Sequence, residues 1–483
     1  MAKNEKKEKA PKAKGGKSSL WSFLKTFIFA LLLALLVRIF IFEIFKIPSC
    51  SMEPTLIGID LSRGDRVGVN KLAYTFGSVK RYDVIVFESP SSVDGKITSR
   101  DIIKRVVGMP GEELSLVAGD AYANGKVAPK PLKVQDSIWI PIYSEDFSTN
   151  VWQRFWQVGS GDWSVDPKMG YLKGTGGTIR YHHWEQALKG GKAVYSAITD
   201  AYPRIATLPE AVCPFDGEKF NPRYFDCYSD EDLDTGRLDR GFVCPKCGKR
   251  FPYEGGRHDQ SQPVVGDPEV AVPFWLGGRS VVGDLQYSAE ITPRVRSGRI
   301  SILIGRGRQG SLGFETYTLD LAIGAGEPPV LRTPDSSVQL GESARLQSDV
   351  TYKVRFALWD GRIFATVNGV QIVDAEYRLT GKELIGNAIE LSLTDKTTAD
   401  FDNVTIGRDI YYIAIDMRGK NPNQTGPGKY AVPAGKYFML GDNSPASSDC
   451  RYGMPPVRPE DIVGRAFCVL WPPSSWKFLP GGE

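Results

Sequence analysis

Residues 99–113 read SRDIIKRVVGMPGEE. Apolar residues crowd around Lys104 and Arg105, and Met109-Pro110-Gly111 then breaks the run, the pattern of a strand entering a turn. Successive side chains of a strand point to opposite faces, so Ile102, Lys104 and Val106 share one face and Arg105 takes the other. Arg105 is expected to stay solvated there, with Lys104 among apolar neighbours. A lone strand lysine is ordinarily an exposed edge charge, and only the rest of the chain can overturn that reading. Outward from this stretch, GDRVGVNKLAY (64–74), RYDVIVF (81–87) and, far downstream, GKYFMLGDN (435–443) and DIVGRAFCVLWP (461–472) show similar short runs broken by Gly, Pro and Asp. The expected fold class is mainly β.

With 483 residues the chain is long enough for two or three domains. A net charge of +4 is too small at this size to argue for a nucleic-acid partner. Residues 1–19, MAKNEKKEKAPKAKGGKSS, hold seven Lys against two Glu and no aromatic bulk, which reads as a disordered cytoplasmic tail. From Leu20 to Val37 only Lys25 is charged, and about 18 apolar residues suffice to cross a bilayer. Residues 20–42 are therefore read as a retained transmembrane helix. A cleaved signal peptide and a buried core helix compete with this, but the run is long and no small residues suited to cleavage follow it. The positive-inside rule then keeps the tail cytoplasmic and places everything after Phe42 on the exported, periplasmic side of the inner membrane.

The strand pattern of residues 43–131 returns in 422–483, and residues 132–421 between them have another texture. Evenly spaced runs such as GRISILIGRG (298–307) and TYKVRFALWDGRIFATVNGVQIVDA (351–375) suggest an inserted antiparallel β-sandwich. From DFSTNVWQRFWQVGSGDWSVDPKMGYLKG (146–174) to DFDNVTIGRD (400–409) it resembles the concanavalin-like jelly rolls. That resemblance implies a scaffold, or a module for a carbohydrate or protein partner; no carboxylate pair suits glycoside hydrolysis. Nested at about 209–260 are CPFDGEKF (213–220) and CPKCGKRF (244–251), which resemble a zinc ribbon with one altered knuckle. Cys213, Cys244 and Cys247 would ligate zinc, with Asp216 or Cys227 completing the set. Two disulfides in an oxidising compartment, or a ribbon without metal, are the other readings.

The stretch PSCSMEPTL (48–56) directly follows the apolar run and displays two serines around Cys50. A serine hydroxyl needs a base before it attacks. The three histidines, His182, His183 and His258, all lie in the inserted region, and no local signature supports a Ser-His-Asp arrangement. A lysine can serve only as the neutral amine, and burial in an apolar site disfavours the ammonium form.

Four blocks in order, IPSCSMEPTL, GDRVGVNKLAY with RYDVIVF, KRVVGMPGE with AYANGK, and VPAGKYFMLGDNSPASSDCRYG, resemble the bacterial type I signal peptidases, membrane-bound serine peptidases of the Ser/Lys dyad class. The resemblance implies a β-rich catalytic core that cleaves signal peptides of secreted preproteins beside the lipid bilayer without a cofactor. Ser51 would then be the nucleophile, Lys104 the general base, Ser49 an oxyanion donor and Ser447 the residue that orients the lysine amine. Gly441, Asp442 and Asn443 would form a supporting turn, and Asp449 with Arg451 a charged pair beneath it. Three positions depart from the family pattern: Cys50 stands where Gly is usual, Cys450 where Ser is usual and Ser444 where Arg is common. Cys50 and Cys450 are proposed to form a disulfide. A catalytically impaired, membrane-tethered binding protein is the alternative from another class; a self-cleaving repressor-type protease lacks its DNA-binding helix pair here.

Overall fold

The computed structural model describes residues 21–31, 41–58, 64–93, 96–145, 152–166, 170–186, 193–200, 280–308 and 313–482, with short strands at 202–203, 211–212, 219–220, 241–243, 250–252 and 275–276. The described chain is mainly β. Residues 21–31 are helical, and residues 32–40 lie outside the description. Among the described residues no helix is long and apolar enough to cross a membrane. Phe42, which the sequence reading placed in the helix, begins the strand Phe42–Lys46.

A seven-stranded antiparallel sheet has the order Phe42–Lys46, Arg66–Asn70, Ile462–Trp471, Val84–Val93, Lys96–Gly108, Phe438–Leu440, with Lys477–Phe478 paired to Ile462–Trp471. Both of its faces are covered. Val84 and Val86 enter one apolar cluster with Ile47, Met52, Leu56, Val67 and Val69, whereas Ile85 and Phe87 enter another with Val106 and Val107. The uninterrupted run VIVF follows from this, because alternation hides every second side chain on each side. A five-stranded sheet, ordered Gln424–Gly426, Lys429–Ala431, Glu113–Val117, Asp120–Ala123 and Lys126–Val127, again joins early and late segments.

Among the described residues a 13-stranded sheet takes its strands from Ile140–Glu145 through Leu384–Arg408. The 25-residue strand Leu384–Arg408 is its spine, pairing with Gly298–Arg308, Leu172–Tyr181, Leu285–Pro293 and Ile140–Glu145 in turn. In Leu285–Pro293 buried and half-buried residues alternate without a break, as a strand with one face in the core requires. This sheet leads back through Ile410, Tyr411 and Tyr412, all buried, and Tyr412 N–H donates to Gly119 O at 3.1 Å.

Candidate active site

Ile47, Met52 and Leu56 are at most 2% exposed and fix the segment that carries Ser49 and Ser51. Fully burying side chains of this size stabilises by about 1.5–3 kcal/mol each, enough to hold a short segment that has little regular structure. Ser49 is extended (φ −123°, ψ 159°) and precedes a single 3-10 turn, Cys50–Met52, so the two serines fall on the same side. Their Oγ atoms are 3.2 Å apart. Gly58 lies so close beneath that a Cβ there would sit 1.8 Å from Ser49 O. Only glycine permits that approach.

Lys104 pairs across the sheet with Ile85 and is 1% exposed. Its Nζ donates to Ser51 Oγ at 2.8 Å and to Ile103 O at 3.1 Å. Residues 53 positions apart in sequence thus meet through a buried hydrogen bond.

The turn after Phe438–Leu440 closes the site from below. Asn443 N–H donates to Ser51 O at 3.0 Å. Gly441 N–H donates to Asp449 Oδ2 at 3.0 Å, and a Cβ at Gly441 would meet Ser51 O at 2.5 Å and Ser447 Oγ at 2.2 Å. Asp449 takes Arg451 Nε at 2.9 Å and Nη2 at 2.7 Å. Ser447 Oγ is buried over Gly441 and, among the described residues, makes no hydrogen bond; the structure therefore brings Ser447 to the turn without a hydrogen bond to the Lys104 amine.

Arg105 corrects the sequence reading. It is not solvated but 1% exposed, donating to Asp442 Oδ1 at 2.7 Å and Oδ2 at 2.6 Å and to Tyr82 O at 2.9 Å. Thr55 also donates to Asp442. Alternation gave its face correctly; that face, shared with its cross-strand partner Val84, is covered by the cluster around Ile47, Met52 and Leu56, and a bidentate carboxylate offsets the desolvation of the guanidinium. Thr55 and Tyr82 fall inside the family blocks without a role assigned to them, and Gly58 lies outside those blocks.

The proposed Cys50–Cys450 disulfide is not formed: both are buried thiols. Cys450 Sγ instead accepts from Met439 N–H at 3.3 Å, and burial pushes its thiol upward, away from the thiolate. Cys213, Asp216, Cys227, Cys244 and Cys247 lie outside the described residues. A buried acidic group the sequence did not reveal, Asp120, Asp284 and Asp360, has its carboxylates within 4.8 Å of one another. Cations of the protein already reach it: Lys130 Nζ lies 2.6 Å from Asp360 and 2.9 Å from Asp409, and Arg306 Nη2 lies 3.7 Å from Asp284.

Comparison with known proteins bears on this arrangement. The chain is 34% identical over 128 residues to a "Probable signal peptidase I-2" of Synechocystis sp., covering 26% of this chain and 56% of that protein. It is 33% identical over 120 residues to a signal peptidase I of Bacillus licheniformis (25% and 59% covered) and 34% over 129 residues to signal peptidase I T of Bacillus subtilis (27% and 60%). It thus spans somewhat more than half the length of these relatives. Among solved structures, a carbohydrate-binding module and a galectin-like protein, both from Bacillus subtilis, align with TM-scores of 0.23 and 0.26 at 10% and 8% identity, covering 52% and 56% of this chain and 94% and 97% of theirs. Scores this low carry no conclusion about fold. The family described as signal peptidase, peptidase S26, matches residues 20–163 and 367–471, just over half of the chain, and the chain belongs to that family.

Proposed function

We propose that the chain is a membrane-anchored serine endopeptidase that removes signal peptides from exported preproteins, with Ser51 as nucleophile and Lys104 as general base. The 2.8 Å contact between Lys104 Nζ and Ser51 Oγ, both on buried residues, carries this reading. In this mechanism neutral Lys104 takes the Ser51 proton as Oγ attacks the scissile carbonyl, then passes it to the leaving amine. Lys104 next deprotonates the water that hydrolyses the acyl-enzyme, and the proton returns to Ser51. Ser49 Oγ and the Ser51 N–H donate to the oxyanion. Ser447 is the residue assigned to orient the amine, and the chemistry draws on no cofactor.

Residues 20–41 anchor the enzyme in the bilayer in this reading, with 1–19 cytoplasmic and 42–131, beginning at the strand Phe42–Lys46, and 422–483 forming the catalytic core. The preprotein lies extended along a strand edge, with small side chains one and three residues before the cut. Residues 132–421 form a jelly-roll insertion that acts as a scaffold or docking module. The paired strands Ala211–Val212 with Lys219–Phe220 and Gly241–Val243 with Arg250–Pro252 bracket the two cysteine-bearing stretches in sequence, an arrangement compatible with a zinc ribbon.

The test is cleavage of a model preprotein carrying Ala at both small-residue positions by the full chain reconstituted in liposomes, with the product mass measured. One cut at the signal-peptide junction, abolished by Phe at either position, is expected. An uncut preprotein, or cleavage indifferent to those positions, contradicts the proposal.

A further inference from the structure

Ser444, Ile413 and Arg451 form a contact that the mechanism above does not use. Ser444 is fully buried. Its Oγ accepts the Ile413 N–H at 2.8 Å and also a hydrogen bond from Arg451 Nη1, while its carbonyl accepts Arg451 Nη2 at 2.9 Å. Arg451 Nη1 reaches Ile413 O at 3.2 Å. The guanidinium is therefore shared between Ile413 and Ser444 on one side and Asp449 on the other. Asp449 holds the Gly441 amide, and Gly441 and Asn443 press against Ser51 O.

Ile413 belongs to the segment by which the chain returns from the strand Leu384–Arg408. That segment is held on its other flank as well, where Tyr412 N–H donates to Gly119 O. The return path of the 13-stranded sheet is thus bonded directly to the turn on which the Ser51 carbonyl rests. Arg451 enters this buried slot from its own side and meets both the Oγ and the carbonyl of Ser444.

We propose that Ser444 is a positioning residue for the reaction, through which the return segment at Ile413 sets Arg451, Asp449 and the Gly441–Asn443 turn in register with Ser51. Its effect reaches the substrate only through that turn. A displacement of the turn moves Ser51 relative to Lys104, and a reacting group moved by about 1 Å loses about a hundredfold in rate while leaving distant binding contacts intact.

The inference rests on the peptidase reading for its kinetic part, and its structural part is tested separately. Ser444→Ala, Ser444→Thr and wild type are compared as full chains in liposomes by preprotein cleavage, thermal unfolding and deuterium uptake of residues 438–449. Ser444→Ala is expected to lower kcat by about tenfold or more with KM within about twofold, to raise uptake in that segment and to unfold near the wild-type temperature. Ser444→Thr, which keeps the hydroxyl, is expected to restore most of kcat. Wild-type kcat in Ser444→Ala, or equal losses in both variants that follow lost folded protein, overturns the proposal. If wild type leaves the preprotein uncut, the peptidase reading falls, and unchanged uptake in Ser444→Ala still refutes the link.

Discussion

Two buried charged regions of this molecule are built on opposite principles. Beneath Ser51 each carboxylate has its own guanidinium: Asp442 takes Arg105 and Asp449 takes Arg451, both bidentate. Where the strand Asp120–Ala123 meets the 13-stranded sheet, four carboxylates, Asp120, Asp284, Asp360 and Asp409, share Lys130 and Arg306. Burial, followed by the negative charge of Asp284 and Asp360, holds the Asp120 carboxyl well above the usual carboxylate range. The balanced region fixes geometry, since each bidentate fork holds its carboxylate in one orientation. The unbalanced one ties the sheets together but makes that junction sensitive to protons.

The comparison can be broken at several points. Removal of Ser51 or Lys104 should cost the most: Ser51→Ala and Lys104→Ala are expected to lower kcat for preprotein cleavage by about a thousandfold or more, with unfolding unchanged. Next comes the balanced floor. Asp442→Asn leaves Arg105 buried without its counter-charge and should destabilise by about 3–5 kcal/mol in urea unfolding.

Beside the junction, His183 is buried next to Tyr181, and burial, then Arg408, pulls its imidazole down to about 3. The folded value lies below the unfolded one, so its contribution to stability is present above roughly pH 6.5 and is lost as pH falls toward 3. His183→Phe should therefore flatten the acid limb of stability, by at most about 2 kcal/mol between pH 6.5 and 5. Asp120 has the opposite sign. Its folded value is raised, so its contribution is fully present below the ordinary carboxylate range and is lost as pH climbs through the raised value. Asp120→Asn should then stabilise by about 1 kcal/mol at pH 7.5 and less at pH 4.5. An equal effect at both values removes the contrast between the two regions.

How much of this was legible in the sequence differs by the range of the interaction. The runs around Ile85, Lys104 and Ile302 announced strands because the pattern is local, and those strands are present. Ser49 and Ser51 were visible as neighbours, and Lys104 through the family blocks. Arg105 was misjudged because alternation assigns a face but does not say what covers it. Ser444 stood out only as a departure from the family pattern, and Ile413 and Gly58 carry no local signal, since each acts through a contact made only after the chain returns on itself. The Asp120 cluster escaped for the same reason, its members being drawn from three separated loops and one strand edge. The suggested cysteine pairing failed on packing: Cys450 Sγ is turned to the Met439 amide.

The central claim is that Lys104 acts as base for Ser51, and the most direct measurement is the single-turnover cleavage rate of a model preprotein by wild type and Lys104→Ala in the same liposomes, with peptide mapping for an acyl group on Ser51. The account predicts cleavage and transient acylation of Ser51 in wild type, and neither in Lys104→Ala despite unchanged unfolding. Wild-type cleavage by Lys104→Ala, or acylation of a residue other than Ser51, contradicts it.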